Sequence, residues 1–138
     1  MLIMKKMISF FIDMIPPTIT AQEKKIHVVR GKPIMYDTSE LNVAKSKLLG
    51  YLSHHVPDQM FNSSIRLIVW WCFPITGKHH DGEYKYTKPD TDNLNKALKD
   101  CMTALHFWKD DALVVSEVIE KYWAKRPGIY IKIEEVKN

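Results

Sequence analysis

The sequence predicts an α+β fold: a single domain over residues 1–138 in which a mixed β-sheet carries two principal helices. Two observations support this prediction. Four segments with alternating or β-branched apolar residues are typical of strands, and two longer segments repeat their apolar residues at helical spacing. The length fits one compact domain, and an apolar content of 46% is enough to supply its core.

The first element is a predicted strand, Met7–Ile12, that enters the core. The start of the chain is apolar, but Asp13 interrupts the run and no small-residue cleavage pattern follows, so we do not expect a signal peptide. The run is also too short to span a bilayer. The cysteines, Cys72 and Cys101, show no metal-ligand spacing. We therefore expect a cytoplasmic protein without a disulfide framework or a membrane partner.

A basic segment over residues 18–36 follows, and its turn residues predict a loop or a mobile hairpin. Its charge suits a DNA-facing arm or a merely solvated loop, and charge alone does not decide between them. The net charge of +4 gives the same mild indication of a polyanionic partner. The candidate DNA-contacting residues are Lys24, Lys25, Arg30 and Lys32 in this segment, and Lys88 and Lys121 further along the chain.

Two amphipathic helices are predicted, one over Ser39–His55 and one from about residue 93 to residue 106. Pro57 stops the first helix, because proline cannot continue a helical backbone. Asp92 is the predicted N-cap of the second helix. Its apolar stripe comprises Leu94, Ala97, Leu98, Cys101, Met102 and Leu105.

Three further strands are predicted. The segment Ile65–Phe73 is rich in β-branched and aromatic residues, which indicates a largely buried strand, and polar residues 75–89 form the loop after it. Two alternating runs, Leu113–Trp123 and Ile129–Glu134, end the chain. The reversal signal Arg126-Pro127-Gly128 between them predicts a β-hairpin.

The chemistry is concentrated where the second helix begins. Asp90 and Asp92 are separated by one residue, so their carboxylates can converge on one point. Two adjacent carboxylates repel each other unless a cation neutralises them, and Mg²⁺ does so while keeping room for phosphate. The alternative interpretation is a helix-capping motif with a spare aspartate. Lys96, one turn into the helix, can contact a phosphate or pair with Asp92 or Asp100.

A second acidic cluster, Asp110-Asp111, follows the second helix. A helix of some 13 residues separates its ends by roughly 20 Å, so these carboxylates do not meet Asp90 and Asp92 by spacing alone. Three arrangements would bring them closer. The following segment doubles back, the helix ends early and residues 107–109 fold back, or the partner in a dimer supplies the second cluster.

These motifs together resemble the RusA family of Holliday-junction resolvases, which occur in phages and in bacterial chromosomes that carry prophage. The resemblance spans most of the chain, and the two acidic elements about eighteen residues apart are far more specific together than either alone. The residues that carry it are Lys88-Pro89-Asp90-Thr91-Asp92-Asn93-Leu94-Asn95-Lys96, Asp100, Phe107-Trp108-Lys109-Asp110-Asp111-Ala112, Pro16-Pro17, Lys121 and Pro127-Gly128-Ile129.

The resemblance implies a site and a reaction. Asp90, Asp92 and Asp111 correspond to the family's catalytic, metal-binding aspartates, and Lys96 to its functionally important lysine. The family is homodimeric, requires Mg²⁺ or Mn²⁺ but no small-molecule cofactor, and makes paired nicks across four-way junctions in DNA recombination and repair. A two-fold dimer supplies the two equivalent sites that symmetric cutting needs.

Two other functions compete with this interpretation. A metal-dependent phosphohydrolase acting on nucleotides would use the same carboxylates, although the basic charge does not favour it. A branched-DNA-binding protein without chemistry would use the aspartates only to cap a helix and order a loop. Cleavage assays on a synthetic four-way junction and on nucleotides distinguish the three.

Overall fold

A computed structural model describes residues 5–18, 24–29, 32–37 and 39–137, with the backbone alone over 24–29 and 32–37. The strands are β1 Met7–Ile12, β2 Lys24–Val29, β3 Lys32–Asp37, β4 Ile65–Pro74, β5 Val114–Ala124 and β6 Gly128–Glu135. The helices are α1 Ser39–Leu52 and α2 Thr91–Ala104, with short 3₁₀ turns at Ser53–His55 and Asp111–Leu113.

Four strands form one mixed sheet in the order β1-β6-β4-β5. β4 runs parallel to β5 and antiparallel to β6, and β6 runs antiparallel to β1. This sheet and its two helices confirm the predicted α+β fold. The long segment from β4 through α2 to β5 is the crossover that parallel neighbours require.

The predicted hairpin between β5 and β6 is wrong. The chain does reverse at residues 125–127, but β5 and β6 lie on opposite sides of β4 and pair with it instead of with each other. β4 has alternate residues fully buried and offers backbone groups along both edges, so it takes the position between them. Alternation and a turn signal locate two strands and a reversal, but not the strand between them.

One face of the sheet packs against the helices. The inward residues of β4 alternate with outward ones and are almost completely buried. The core they share with both helices and the neighbouring strands includes Leu48, Leu52, Leu67, Val69, Trp71, Leu94, Leu98, Ile129 and Ile131. Alternation therefore separates the adjacent tryptophans: Trp71 is fully buried, whereas Trp70 is 41% exposed on the opposite face and packs against Tyr130.

The basic segment contains an antiparallel strand pair, β2 and β3, which favours the hairpin over the loop interpretation. The side chains of Lys24, Lys25 and Lys32 lie outside the described residues, as does Arg30 altogether. Their predicted contact with DNA therefore stays a prediction. Neither α1 nor α2, the α-helices of the described part of the chain, has the length and apolar content needed to cross a membrane.

Candidate active site

The candidate site begins at the N-terminus of α2, which starts earlier than predicted. Asp90, not Asp92, occupies the N-cap position, with extended backbone angles and a carbonyl that accepts from the Leu94 amide at 3.1 Å. A carboxylate is favourable both at the N-cap and in the first turn, near the positive end of the helix. The residue type alone therefore did not show which aspartate is the N-cap. The Asp90 side chain makes no capping hydrogen bond, and the Asp92 side chain is exposed in the first turn.

An open cavity of about 290 Å³ runs along α2 and joins the two acidic elements. Asp92, Lys96 and Asp111 all line it, whereas Asp90 is not among its lining residues. The complete lining is Asp92, Asn95, Lys96, Lys99, Asp100, Asp111, Glu117 and Ile119.

Asp111 reaches this cavity because the chain turns sharply after α2. The helix ends at Ala104, two residues before the predicted end, and His106 adopts a left-handed conformation with φ 63°. The Phe107 amide then bonds to the Met102 carbonyl at 3.0 Å, which closes the helix end and sends the chain back. Phe107 and Trp108, which precede the turn that carries Asp111, are fully buried, and backbone hydrogen bonds tie residues 107–109 to Phe61. The chain thus turns back directly after α2, and Asp111 lines the same cavity as Asp92.

Asp110 has a structural role in this turn. Its Oδ1 accepts a hydrogen bond from the Ala112 amide at 2.9 Å, and this bond holds the pKa of Asp110 below its usual range. A second contribution comes from a hydrogen bond with the Asp111 side chain. The first member of the acidic pair therefore orders the turn from which the second member projects.

Polar residues that the sequence analysis missed complete the cavity wall. Asn95 is 1% exposed; its Oδ1 accepts from Trp71 Nε1 at 2.8 Å, and its Nδ2 donates to Glu117 Oε2 at 3.4 Å. Lys99 forms an ion pair with the other oxygen of Glu117. A signal for Asn95 was present, because it precedes Leu98 by three residues and so borders the apolar stripe.

The donor chemistry fits a divalent cation, although the donors are not closely grouped. Among the residues whose side chains are described, no three carboxylate, imidazole or thiolate groups lie close enough to hold a metal ion. The carboxylates lining the cavity are nevertheless the hard oxygen donors that Mg²⁺ prefers. Asp92 makes no hydrogen bond or ion pair within the described part of the chain, so its charge is available to a cation.

Lys96 and Lys88 keep largely free side chains. Lys96 is 57% exposed, and its Nζ lies 3.8 Å from Asp100 Oδ2, which is one of the two pairings considered from the sequence. Lys88 is exposed in the loop before α2.

Lys121 points at the loop that precedes Asp90. Its Nζ donates to the carbonyls of Thr87 at 2.5 Å and Pro89 at 2.7 Å. Burial lowers the pKa of Lys121, and the charge of Asp90 acts in the opposite direction. The ammonium group is thus engaged with the protein backbone close to Asp90.

Comparison with known proteins identifies the family. The family model for the endodeoxyribonuclease RusA matches residues 15–134. The chain is 33% identical, over 96% of its length and all of the relative, to the crossover junction endodeoxyribonuclease rusA of Lactococcus phage r1t. It is also 26% identical to the uncharacterized protein YqaN of Bacillus subtilis (strain 168), over 77% of this chain and 82% of that protein. The chain therefore belongs to the RusA family of endodeoxyribonucleases.

Proposed function

We propose that this protein is a divalent-metal-dependent endodeoxyribonuclease that resolves Holliday junctions by paired hydrolytic nicks in DNA recombination and repair. Its membership of the RusA family supports the reaction and the branched-DNA substrate. The observation that carries the site assignment is the single cavity lined by Asp92, Lys96 and Asp111, which come from two separate segments of the chain.

We assign the cation to Asp90, Asp92 and Asp111, with Mg²⁺ as the physiological ion and Mn²⁺ as a substitute. A cation bound there supplies a lowered pKa for an attacking water and charge stabilisation at the scissile phosphate. The role of the three aspartates is to hold it through oxygen donors, which suits carboxylates that are exposed in the structure.

Lys96 is assigned to the phosphate. Its mostly exposed side chain lines the cavity, and its ammonium group has Asp100 as an ion-pair partner at 3.8 Å. An exposed ion pair of this kind contributes only about 0–1 kcal/mol, so a phosphate oxygen can replace Asp100 at little cost. The lysine then offsets the negative charge that develops on the phosphoryl oxygens.

The protein is further proposed to act as a homodimer of single-domain chains in the cytoplasm of a bacterium or a phage-infected host. Each chain contributes one set of site residues, and two symmetric nicks need two sets. Both cysteines are free. Cys101 is buried, and burial raises the pKa of its thiol to about 11, as expected of a packing residue.

A cleavage assay on a synthetic four-way junction with Mg²⁺ tests the proposal. We expect wild type to nick opposite strands symmetrically, and Asp90→Asn or Asp111→Asn to lower the rate by at least about 100-fold, since charge stabilisation is lost. Junction binding should survive or strengthen in these variants because phosphate repulsion falls. Asp58→Asn, an exposed aspartate outside the cavity, is the matched control and should cleave like wild type.

Two outcomes contradict the proposal. Intact junctions in the presence of both Mg²⁺ and Mn²⁺ would leave only DNA binding. Faster turnover of a nucleotide than of the junction, with the same dependence on Asp90, would identify a phosphohydrolase.

A further inference from the structure

Three successive backbone carbonyls immediately before Asp90 accept hydrogen bonds from two lysine side chains. Lys121 Nζ donates to the Thr87 and Pro89 carbonyls, and Lys85 Nζ donates to the intervening Lys88 carbonyl at 2.6 Å and to the Thr87 hydroxyl. The segment 87–89 lies in an irregular loop, and within the described part of the chain no helix or strand amide donates to these carbonyls.

The two lysines meet because the loop adds a short extra bridge to the sheet edge. Tyr84 pairs antiparallel with Tyr122, and the Lys85 amide donates to the Lys121 carbonyl at 2.9 Å. Side chains of directly paired residues project to the same face of a sheet. Both ammonium groups therefore lie on the helix-facing side, beneath the loop that leads into α2.

Lys85 is held in this position by its surroundings. It is 9% exposed, and its ammonium group lies 4.8 Å from the ring centre of Trp123 and 5.1 Å from that of Phe73. Burial and the neighbouring charge of Lys121 both lower the pKa of Lys85. Two ammonium groups so close together repel each other, and the carbonyl dipoles and the carboxylate of Asp90 offset that repulsion.

We propose that Lys85 and Lys121 are positioning residues whose ammonium groups fix the backbone of residues 87–89 and so place the carboxylates of Asp90 and Asp92 for the metal ion. This inference rests on the proposed function, and it gives Lys121 a role other than contact with DNA. Removing a residue that holds metal ligands in position typically lowers metal affinity or activity by about 10–100-fold.

The test compares Lys121→Met and Lys121→Arg with wild type. The matched control is Lys125→Met, at an exposed lysine directly after the same strand. Mn²⁺ binding to the protein without DNA is measured by electron paramagnetic resonance. Single-turnover cleavage is measured at saturating junction, and junction affinity over a series of salt concentrations.

If Lys121 is a positioning residue, we expect a specific combination of results for metal binding, cleavage and junction affinity. Lys121→Met should weaken Mn²⁺ binding and slow cleavage, each by about 10–100-fold, while junction affinity and its salt dependence stay at wild-type values. Lys121→Arg should recover part of both losses, because guanidinium also donates to carbonyls. Lys125→Met should match wild type throughout.

Other combinations overturn the inference. A phosphate-contacting lysine would instead lower junction affinity and reduce the salt slope by about one, with Mn²⁺ binding unchanged. Wild-type Mn²⁺ affinity in both Lys121→Met and Lys85→Met would also refute it, and the second variant decides if the first fails to fold by circular dichroism. Failure of the proposed function is distinguishable, because wild type itself would then not cleave junctions.

Discussion

Asn95 is a polar residue whose burial is explained by both of its partners. Its amide accepts from the buried indole of Trp71 and donates to Glu117 on the cavity wall. Replacing it with alanine leaves the indole N–H without a partner in the core, and an unsatisfied buried donor costs about 1–3 kcal/mol. We expect Asn95→Ala to lower the free energy of unfolding by that amount.

Urea denaturation measures this effect, with Asn62→Ala, an exposed asparagine, as the control that should change little. The double variant Asn95→Leu with Trp71→Phe removes both polar partners. It should recover part of the loss, because no buried donor is then left unpaired. Equal destabilisation in the single and double variants would show that packing volume, not the hydrogen bond, explains the cost.

The cavity-lining residues that the sequence analysis named differ in kind from those that it missed. Asp92, Lys96 and Asp111 carry charge in motifs whose spacing is informative without a fold. Glu117 looks like an ordinary polar position in an alternating strand, and only the position of α2 over β5 places it on the cavity. Lys121 shares its face, and the carbonyls it binds belong to a loop 32 and 34 residues away.

At the scale of elements, the approach of β6 to β1 depends on a missing side chain. A Cβ added at Gly128 would lie 2.5 Å from the Ile12 carbonyl oxygen and still closer to the Phe11 ring. The contact with backbone cannot be relieved by a rotamer change, so the two strands must move apart. We expect Gly128→Ala to destabilise the fold by about 1–3 kcal/mol in chemical denaturation.

Gly50 provides the opposite control. It lies in α1, and an added Cβ there would meet nothing within 4 Å. Alanine at this helical position should stabilise by roughly 0.5–1 kcal/mol, because the unfolded chain loses conformational freedom. If both substitutions destabilise the fold, the space around each glycine does not determine whether alanine raises or lowers the stability.

Arg66 links three strands of the sheet across its outer face. It lies opposite Glu134 in the β4–β6 register, with Nη1 3.0 Å from Oε1, and its Nε donates to Ser116 of β5 at 3.0 Å. The Arg66 hydrogen bond holds the pKa of Glu134 below its ordinary value of 4.5, with Lys132 adding a smaller effect. The carboxylate therefore stabilises the folded state wherever it is ionised.

The sign of the pH dependence follows from this pKa. Because the folded state binds the proton more weakly, the stabilisation is fully present above about pH 4.5 and is lost as the pH falls through the lower folded-state pKa. Glu134→Gln should melt below wild type at pH 7, and the gap should narrow on acidification. The adjacent Glu135→Gln is the control; a Glu134→Gln gap that is independent of pH would contradict the assignment.

The order of the elements in space was the least predictable part of the fold. Local patterns located the four strands of the mixed sheet to within about two residues, and β1 has the predicted bounds. Strand pairing is non-local, so the alternation in Leu113–Trp123 is compatible with either neighbour. In the structure, β4 and β5 pair in parallel from Ile65 and Val114 onward. A parallel pair needs a crossover connection, and the segment that contains α2 supplies it.

For the whole molecule, the same crossover explains how the cavity forms. α2 carries Asp92 at its start, and the tight turn after Ala104 returns the chain so that Asp111 precedes β5 on the same cavity. The sequence predicted both acidic elements and the distance problem between them. It could not predict the path of the chain after α2, which accompanies the burial of Phe107 and Trp108 in the core.

In the proposed function, paired nicks require the assembly of two chains. Each chain holds one copy of Asp90, Asp92 and Asp111, so one chain provides at most one such site and two symmetric cuts require two chains. A heterodimer of tagged wild type with Asp90→Asn, purified through two tags, should therefore nick one strand of a junction and leave it unresolved. Denaturing gels show the nick, and native gels show whether duplex products separate.

The two homodimers give the reference rates for this experiment. Wild type should release duplexes, and the Asp90→Asn homodimer should release none. Independent sites predict a heterodimer that nicks at about half the wild-type rate, because one of its two sites is intact. Resolution by the heterodimer at the full wild-type rate would mean that a single site makes both cuts, and the symmetric two-site arrangement would then be wrong.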